Sequence, residues 1–235
     1  MKNKLPGFVR PRQAFSHELA LERLKNLGFV PATIYDIGAF QGEWTKTARK
    51  VFSTANYLLF EANSHNANVL EMKGERYTIA VLAAVDGEER PLYLPRDAVA
   101  TGVSLYREQT EHYSAGLLRV EVVKTRRLDV LAAEQKLPDP DLIKLDVQGA
   151  ELDVLAGAGK LLDACSAIIA ETSLLSYNEG APLMGDVVSG FAQRRFRCVD
   201  ICEVHRAPTG NTLQMDMLFV NELLYEKYRI AASLL

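Results

Sequence analysis

The chain lacks what would tie it to a membrane or to a phosphate backbone. None of its 235 residues belong to an apolar run long enough to span a bilayer. The opening Met1-Lys2-Asn3-Lys4-Leu5-Pro6-Gly7 is not followed by the apolar core of a secretory signal. Basic residues are not in excess: 27 Lys and Arg face 30 Asp and Glu, for a net charge of −3. A sequence-independent grip on nucleic acid needs a basic face, so nucleic acid is not an expected partner, and neither is stable membrane insertion. Cysteine is scarce. Cys165, Cys198 and Cys202 are odd in number and have no framework spacing, which excludes a disulfide-stapled fold and fits a reducing, cytoplasmic compartment. Cys198 and Cys202 lie four apart, but no nearby Cys/His pair completes a zinc set, so the thiols read as buried and free.

What is present is alternation. The chain is 48% hydrophobic, enough for one large core, and no repeat or linker divides it. Phe15, Leu19, Leu24 and Leu27 form the apolar stripe of a leading helix over 13–27. Strands are predicted over 33–37, 56–61, 76–83, 91–94, 120–124, 142–147, 167–171, 196–202 and 213–220. Helices are predicted over about 42–52, 64–73, 128–135, from 150 to 156, 183–194 and 221–230. The polar stretch 96–117 reads as a loop excursion. This order predicts an α/β fold with a mainly parallel, doubly wound sheet. The last two strands, joined by a short loop over 203–212, are expected to be antiparallel neighbours.

The segment Ile34-Tyr35-Asp36-Ile37-Gly38-Ala39-Phe40-Gln41-Gly42 is the most telling. It reads as a buried strand running through a small-residue turn into a helix, where backbone N–H groups can approach a ligand. Its glycines do not follow the dinucleotide pattern G-x-G-x-x-G. A carboxylate beside the turn suits a ligand with a cationic amino-acid group, such as S-adenosylmethionine (SAM). Acids end three further strands: Glu61, Asp146 and Glu171. Isolated strand-end acids are often helix caps. Four of them on four parallel strands point to the ligand crevice outside the carboxyl ends of such a sheet. Glu61, at the end of the second strand, can accept both hydroxyls of a ribose, which NAD would satisfy equally well. Gly149 permits a tight turn after Asp146, and Glu151 falls where the helix dipole favours a negative charge.

These segments resemble the FkbM family of SAM-dependent methyltransferases. The resemblance rests on Tyr35–Gly42, Phe60-Glu61-Ala62-Asn63, Thr101-Gly102-Val103-Ser104-Leu105-Tyr106, Arg127-Leu128-Asp129, Ile143–Glu151 and Asp216-Met217-Leu218-Phe219-Val220. It implies a Rossmann-like class I methyltransferase with a seven-stranded, mostly parallel sheet and a terminal antiparallel strand. It also implies a SAM site at Asp36, Gly38, Ala39, Gln41, Gly42, Glu61, Ala62 and Asp146. Many relatives carry Glu where this chain has Gln148, so no acid role is expected there. Residues 1–30 match nothing in the family and read as an N-terminal extension, serving as a lid or as a contact in a homodimer. Residues 31–235 form the expected methyltransferase domain.

The expected reaction is O-methylation of a hydroxyl on a sugar, glycan or other polar small molecule. The sulfonium of SAM is already activated, so alignment and removal of a proton remain for the protein. Candidates for the catalytic group are Asp146, then Glu171, then His205 in the loop between the final strands. Ser104, Tyr106, Glu108, His112 and Tyr113 of the loop 101–117, with Tyr177 of the Tyr177–Gly180 turn, are expected to shape the acceptor pocket. No carboxylate motif demands a metal, so none is assigned, although a divalent ion among the cleft acids is an alternative. The competing functions are a nicotinamide-dependent oxidoreductase, against which the first turn argues, and a non-catalytic SAM-binding module.

Overall fold

Residues 15–96, 101–110 and 117–232 are described by the structure, a computed structural model. A seven-stranded sheet runs in the order β3-β2-β1-β6-β7-β9-β8. The strands are β1 (Thr33–Ile37), β2 (Asn56–Glu61), β3 (Tyr77–Ile79), β6 (Leu142–Leu145), β7 (Ala167–Ser173), β8 (Phe196–Arg206) and β9 (Thr212–Asn221). The first five are parallel, and β9 inserts antiparallel between β7 and β8. β4 (Glu89–Pro95) and β5 (Leu118–Lys124) form a separate antiparallel pair. The expected fold class therefore holds, and so does the antiparallel end.

Strand alternation splits the core into two layers. Tyr35, Ile37, Phe60, Ile143, Leu145, Ile168, Ala170, Met217 and Phe219 pack on one face. Ile34, Leu59, Leu142, Ala167, Ile169, Leu218 and Val220 pack on the other. The second face is covered by α1 (His17–Asn26) through Ala20, Leu21 and Leu24, and by α2 (Glu43–Val51) through Ala48 and Val51. α1 begins where Ser16 Oγ accepts a hydrogen bond from Leu19 N at 3.1 Å, satisfying one unpaired N–H of the first turn. It is tied down by Arg23 to Asp200 of β8 at 2.6 Å. Phe15, expected in its stripe, is exposed.

Several expected boundaries shift. The helix expected over 64–73 is a 3-10 turn, Ser64–Asn66, followed by α3 (Ala67–Met72). The strand expected over 76–83 joins the sheet only at Tyr77–Ile79, and further on Leu82 bridges Arg126 instead. The loop expected over 203–212 narrows to 207–211, since β8 and β9 extend as a long hairpin. The remaining helices are α4 (Leu128–Glu134), α5 (Glu151–Gly157), α6 (Leu161–Ala164), α7 (Met184–Gln193) and α8 (Glu222–Ala232). α6 was not anticipated. No helix among the described residues is long and apolar enough to cross a membrane.

Candidate active site

A cavity of about 890 Å³ opens over the carboxyl ends of β1, β2, β6 and β7. Gly38 and Phe40 of the turn after β1 line it. Gly38 has φ +79°, and a Cβ there would stand 1.8 Å from the Asp146 carbonyl oxygen, so only glycine lets the two turns meet. Phe40 also adopts positive φ, +49°, an unusual conformation for a bulky residue. Glu61 holds it there: Oε2 accepts from Phe40 N at 2.7 Å, while Oε1 accepts from Asn63 N at 2.8 Å and Asn66 Nδ2 at 3.3 Å. Burial raises the Glu61 carboxyl above its ordinary pKa, against the pull of these donors. Glu61 thus lines the cavity and pins the turn.

Asp36 does neither. The same alternation that buries Ile34 under α2 points Asp36 there too, and Thr45 Oγ1 donates to its Oδ2 at 2.6 Å. Burial pushes its pKa up to about 6. Its carboxylate is not among the cavity's lining groups, and nor are Ala39, Gln41 or Gly42. Ala39 packs in the core, the Gln41 carbonyl accepts from Lys73 Nζ at 2.6 Å, and Gly42 starts α2 with φ +81°. Gly38, Glu61, Ala62 and Asp146 do line the cavity.

The sheet register builds the other half of the site. Leu145 pairs with Ala170, so Asp146, just past the end of β6, stands beside Glu171, which lies within β7 and not at its end as expected, because β7 runs on to Ser173 against β9. Glu171 pairs with Asp216, which pairs with Glu203. Four acids therefore stand in a row across β6, β7, β9 and β8. Like charges set side by side in a sheet are destabilising, so something must compensate. Lys144, buried, is the main cation: its Nζ reaches Asp146 Oδ2 at 3.2 Å and Asp216 Oδ1 at 3.3 Å. Burial pulls the ammonium down, but Asp146, Asp216 and Glu171 outweigh it and hold Lys144 charged, above its ordinary range. Asp216 stays ionised: burial works against its charge, and Lys144, His17 and His205 overcome it. Glu171 goes the other way. Burial and the charge of Asp146 raise its pKa well above the usual carboxylate range. Gln148 Nε2 bridges Asp146 Oδ1 at 3.0 Å and Glu171 Oε2 at 2.7 Å. Gln148 has φ +54°, and its carbonyl accepts from Ser104 Oγ and Asn178 Nδ2.

His205 lies on strand β8, not in a loop as expected, because the final hairpin is long. Its Nε2 is 3.5 Å from Asp216 Oδ2, and that contact raises its pKa. From the opposite side α1 lowers His17 onto the same carboxylate, Nε2 to Oδ2 at 3.2 Å, and onto Glu203 at 3.3 Å. Trp44 Nε1 donates to His17 Nδ1 at 3.1 Å.

The acceptor-side expectations divide. Ser104 lines the cavity with Thr101, Gly102, Val103 and Leu105. Tyr106 turns away, its hydroxyl donating to Asp153 of α5 at 3.0 Å. Tyr177 sits behind the site, its hydroxyl shared with Ser173 and Gln214 and not lining the cavity. The loop is still tied to the Tyr177 turn, by Gln109 N to Tyr177 O at 2.7 Å and Glu179 N to Arg107 O at 2.8 Å. His112 and Tyr113 lie outside the described residues. Glu151 is buried and braces the turn that leads into its helix, accepting from Val147 N and Gly149 N, each at 3.2 Å. All three cysteines are free, Cys165 and Cys202 buried.

Sequence reasoning missed Lys144, His17 and Asp216 as site residues. For Lys144 the signal was there: a lysine two positions before Asp146 inside an apolar strand shares its face.

Among solved structures, magnesium protoporphyrin IX methyltransferase from Synechocystis PCC 6803, with bound SAM, is similar at 10% identity and TM-score 0.50, covering 87% of this chain and 76% of that one. Precorrin-6y C5,15-methyltransferase from Geobacter metallireducens GS-15 aligns at 9% identity and TM-score 0.47, covering 92% and 94%. A putative O-methyltransferase from Klebsiella pneumoniae aligns at 14% identity and TM-score 0.45, covering 90% and 83%. At these identities the first likeness speaks for the fold alone, and the other two add no weight. No curated protein matches the sequence. The methyltransferase FkbM domain matches residues 36–198 of the 235, well over half the chain. The chain therefore belongs to the FkbM methyltransferase family.

Proposed function

We propose that this protein is a SAM-dependent O-methyltransferase acting on a hydroxyl of a sugar, glycan or other polar small molecule. The observation that carries the reading is the cavity itself, with a buried acid and a tight glycine turn on one side and an ordered row of acids with an imidazole on the other. SAM fits the first side. Gly38 leaves open backbone where any side chain would collide, and Glu61 offers a carboxylate to a ribose. Ala62 and Asp146 complete that wall, and Asp146 would offer its carboxylate to the cationic end of the cofactor. When bound, SAM supplies a methyl group already activated by its sulfonium.

The chain's own residues then orient the acceptor hydroxyl and take its proton. Asp146 is suited by position: it is open to the cavity, with one oxygen held by Lys144 and the other by Gln148. His205 is suited by chemistry. Asp216 anchors its Nε2 and raises its pKa above the ordinary imidazole value, which leaves Nδ1 as the nitrogen to take an acceptor proton. Glu171, held protonated more readily than an ordinary acid, orients Gln148 instead of acting as base.

Among the described lining residues are eight carboxylates, those of Glu18, Glu22, Glu43, Glu61, Asp146, Glu171, Glu203 and Asp216, against one lysine, Lys144. That field disfavours an anionic acceptor and suits a neutral polyol or an amine-bearing sugar. A panel of neutral, amino and phosphorylated sugars incubated with labelled SAM tests this. Methyl transfer to hydroxyls of neutral or amino sugars is expected. Transfer only to phosphorylated sugars, or only to nitrogen, would overturn the acceptor assignment, and failure to bind SAM in calorimetry would overturn the whole reading.

A further inference from the structure

His17, Glu203 and Asp216 bring one imidazole nitrogen and two carboxylate oxygens within 4.8 Å of one another. By distance alone this is a cation site. The fourth partner decides otherwise. An indole N–H can only donate, and Trp44 directs its Nε1–H at His17 Nδ1, 3.1 Å away. Nδ1 must therefore carry a lone pair, and in a neutral imidazole the proton then sits on Nε2. That N–H faces Asp216 Oδ2 at 3.2 Å and Glu203 Oε2 at 3.3 Å, where two acceptors share it. A cation on Nε2 would need the reverse tautomer, with N–H on Nδ1 pointing at N–H of the indole. Metal-bound histidines give that second N–H to an acceptor, the opposite polarity to the one here.

We infer that His17 is a positioning residue of the acceptor site, locked by Trp44 as a neutral Nε2–H donor that orders Asp216 and Glu203, and that this cluster holds a proton and not a metal ion. Asp216 is then fully committed, with Oδ1 to Lys144 and Oδ2 to His17 and His205. The groups facing His17 are Asp216 of β9, Glu203 of β8 and Trp44 of α2, with Lys144 and His205 one step beyond. His17, Glu203, His205 and Asp216 all lie outside the matched family domain, which ends at residue 198. Asp216 belongs to a segment that resembles the family, whereas His17, Glu203 and His205 come from parts of the chain outside both that segment and the matched domain. The positioning role rests on the methyl-transfer reading; the tautomer does not.

The chain has four histidines, so nitrogen-15 histidine spectra are assignable with single His→Gln variants. At neutral pH, His17 in the wild-type protein should show a bare Nδ1 and a protonated Nε2. In Trp44→Phe, Nδ1 should move toward the protonated position, since nothing then donates to it. A protonated Nδ1 in the wild-type protein, or micromolar binding of Zn²⁺ or Mn²⁺ that His17→Gln abolishes, would overturn the inference. In kinetics, His17→Ala should lower kcat/KM at least tenfold with SAM affinity unchanged, and should move the acid limb of the pH profile upward. With one donor lost, Asp216 holds the His205 proton more firmly. His17→Gln, whose amide N–H can replace Nε2–H, should restore both. An unmoved acid limb in His17→Ala would reduce His17 to a packing residue. If no acceptor is ever methylated, the spectra still decide the tautomer, so the two readings fail separately.

Discussion

Replacing Glu61 by Gln removes one acceptor from the most heavily used carboxylate of the cofactor wall. A carboxylate offers about four lone-pair sites. Three are already engaged, by Phe40 N, Asn63 N and Asn66 Nδ2. A ribose diol would take the fourth and displace the longest of these contacts, the one to Asn66. In the variant the new NH₂ must face one of the two backbone N–H groups, donor against donor. Losing a hydrogen bond to a charged group costs about 1.5–3 kcal/mol. At roughly 2–4 °C per kcal/mol for a domain of this size, the apparent Tm should fall by about 3–12 °C. The same loss at the ribose should weaken SAM about ten- to hundred-fold. Thermal melts with and without SAM, beside calorimetric titration, measure both terms on one sample. An unchanged Tm would refute the pinning of the Phe40 turn, and an unchanged SAM affinity would refute the ribose contact.

Five other substitutions test the geometry. Asp146→Asn should cut turnover by about 10²–10⁴ with SAM still bound, and turnover within a few-fold of wild type would leave Asp146 a structural strand-end acid. Lys144→Met strands Asp216 in a buried place without its main cation, so chemical denaturation should show a loss of about 3–5 kcal/mol; a smaller loss would mean that His17 and His205 suffice. Asp36 has a folded pKa raised from 3.8 to about 6. Between those values the native state binds more protons than the unfolded chain, so Asp36 erodes stability as pH rises through that window. Asp36→Asn should therefore gain on wild type by roughly 2 kcal/mol between pH 4 and pH 7, and a difference that stays flat with pH would contradict the burial argument. Tyr106→Phe should leave the acceptor's KM unchanged because its hydroxyl serves Asp153, whereas Ser104→Ala should raise it by loosening Gln148; equal effects of the two in steady-state kinetics would count against this assignment.

The parallel half of the sheet was readable because local signals and tertiary packing agree there. Asn56–Glu61 was placed to the residue, since a strand buried on both faces reads as an unbroken apolar run ended by an acid. The edge strand β3 was overextended because an apolar sequence does not reveal whether a hydrogen-bonding neighbour exists. The β4–β5 pair was seen as two pieces and not as a pair, since their connection passes through a polar excursion of no fixed length.

The site was half legible, and the division has a physical basis. Residues proposed to contact a common cofactor come from turns with strict backbone demands, so Gly38, Glu61 and Asp146, which all line the cavity, announce themselves by type and position. The sense in which a strand-end side chain points is also written in the sequence, through parity: Asp36, two residues after Ile34, shares its face and goes under α2, and Lys144 shares the face of Asp146. Reading residue type without parity is what put Asp36 in the cofactor wall and left Lys144 out. His17 differs in kind. Nothing about a histidine at the start of an amphipathic helix marks it, because its role exists only once α1 docks across β8 and brings it to an aspartate 199 positions away. Asp216 stood in a quoted motif without a function for the same reason. Its neighbours Lys144, Glu171, Glu203 and the two histidines are gathered by sheet register and helix docking, which no local pattern encodes. The acceptor half of an enzyme of this architecture is therefore the half that structure must supply. Its sharpest determinant here is the polarity of a single indole N–H, that of Trp44.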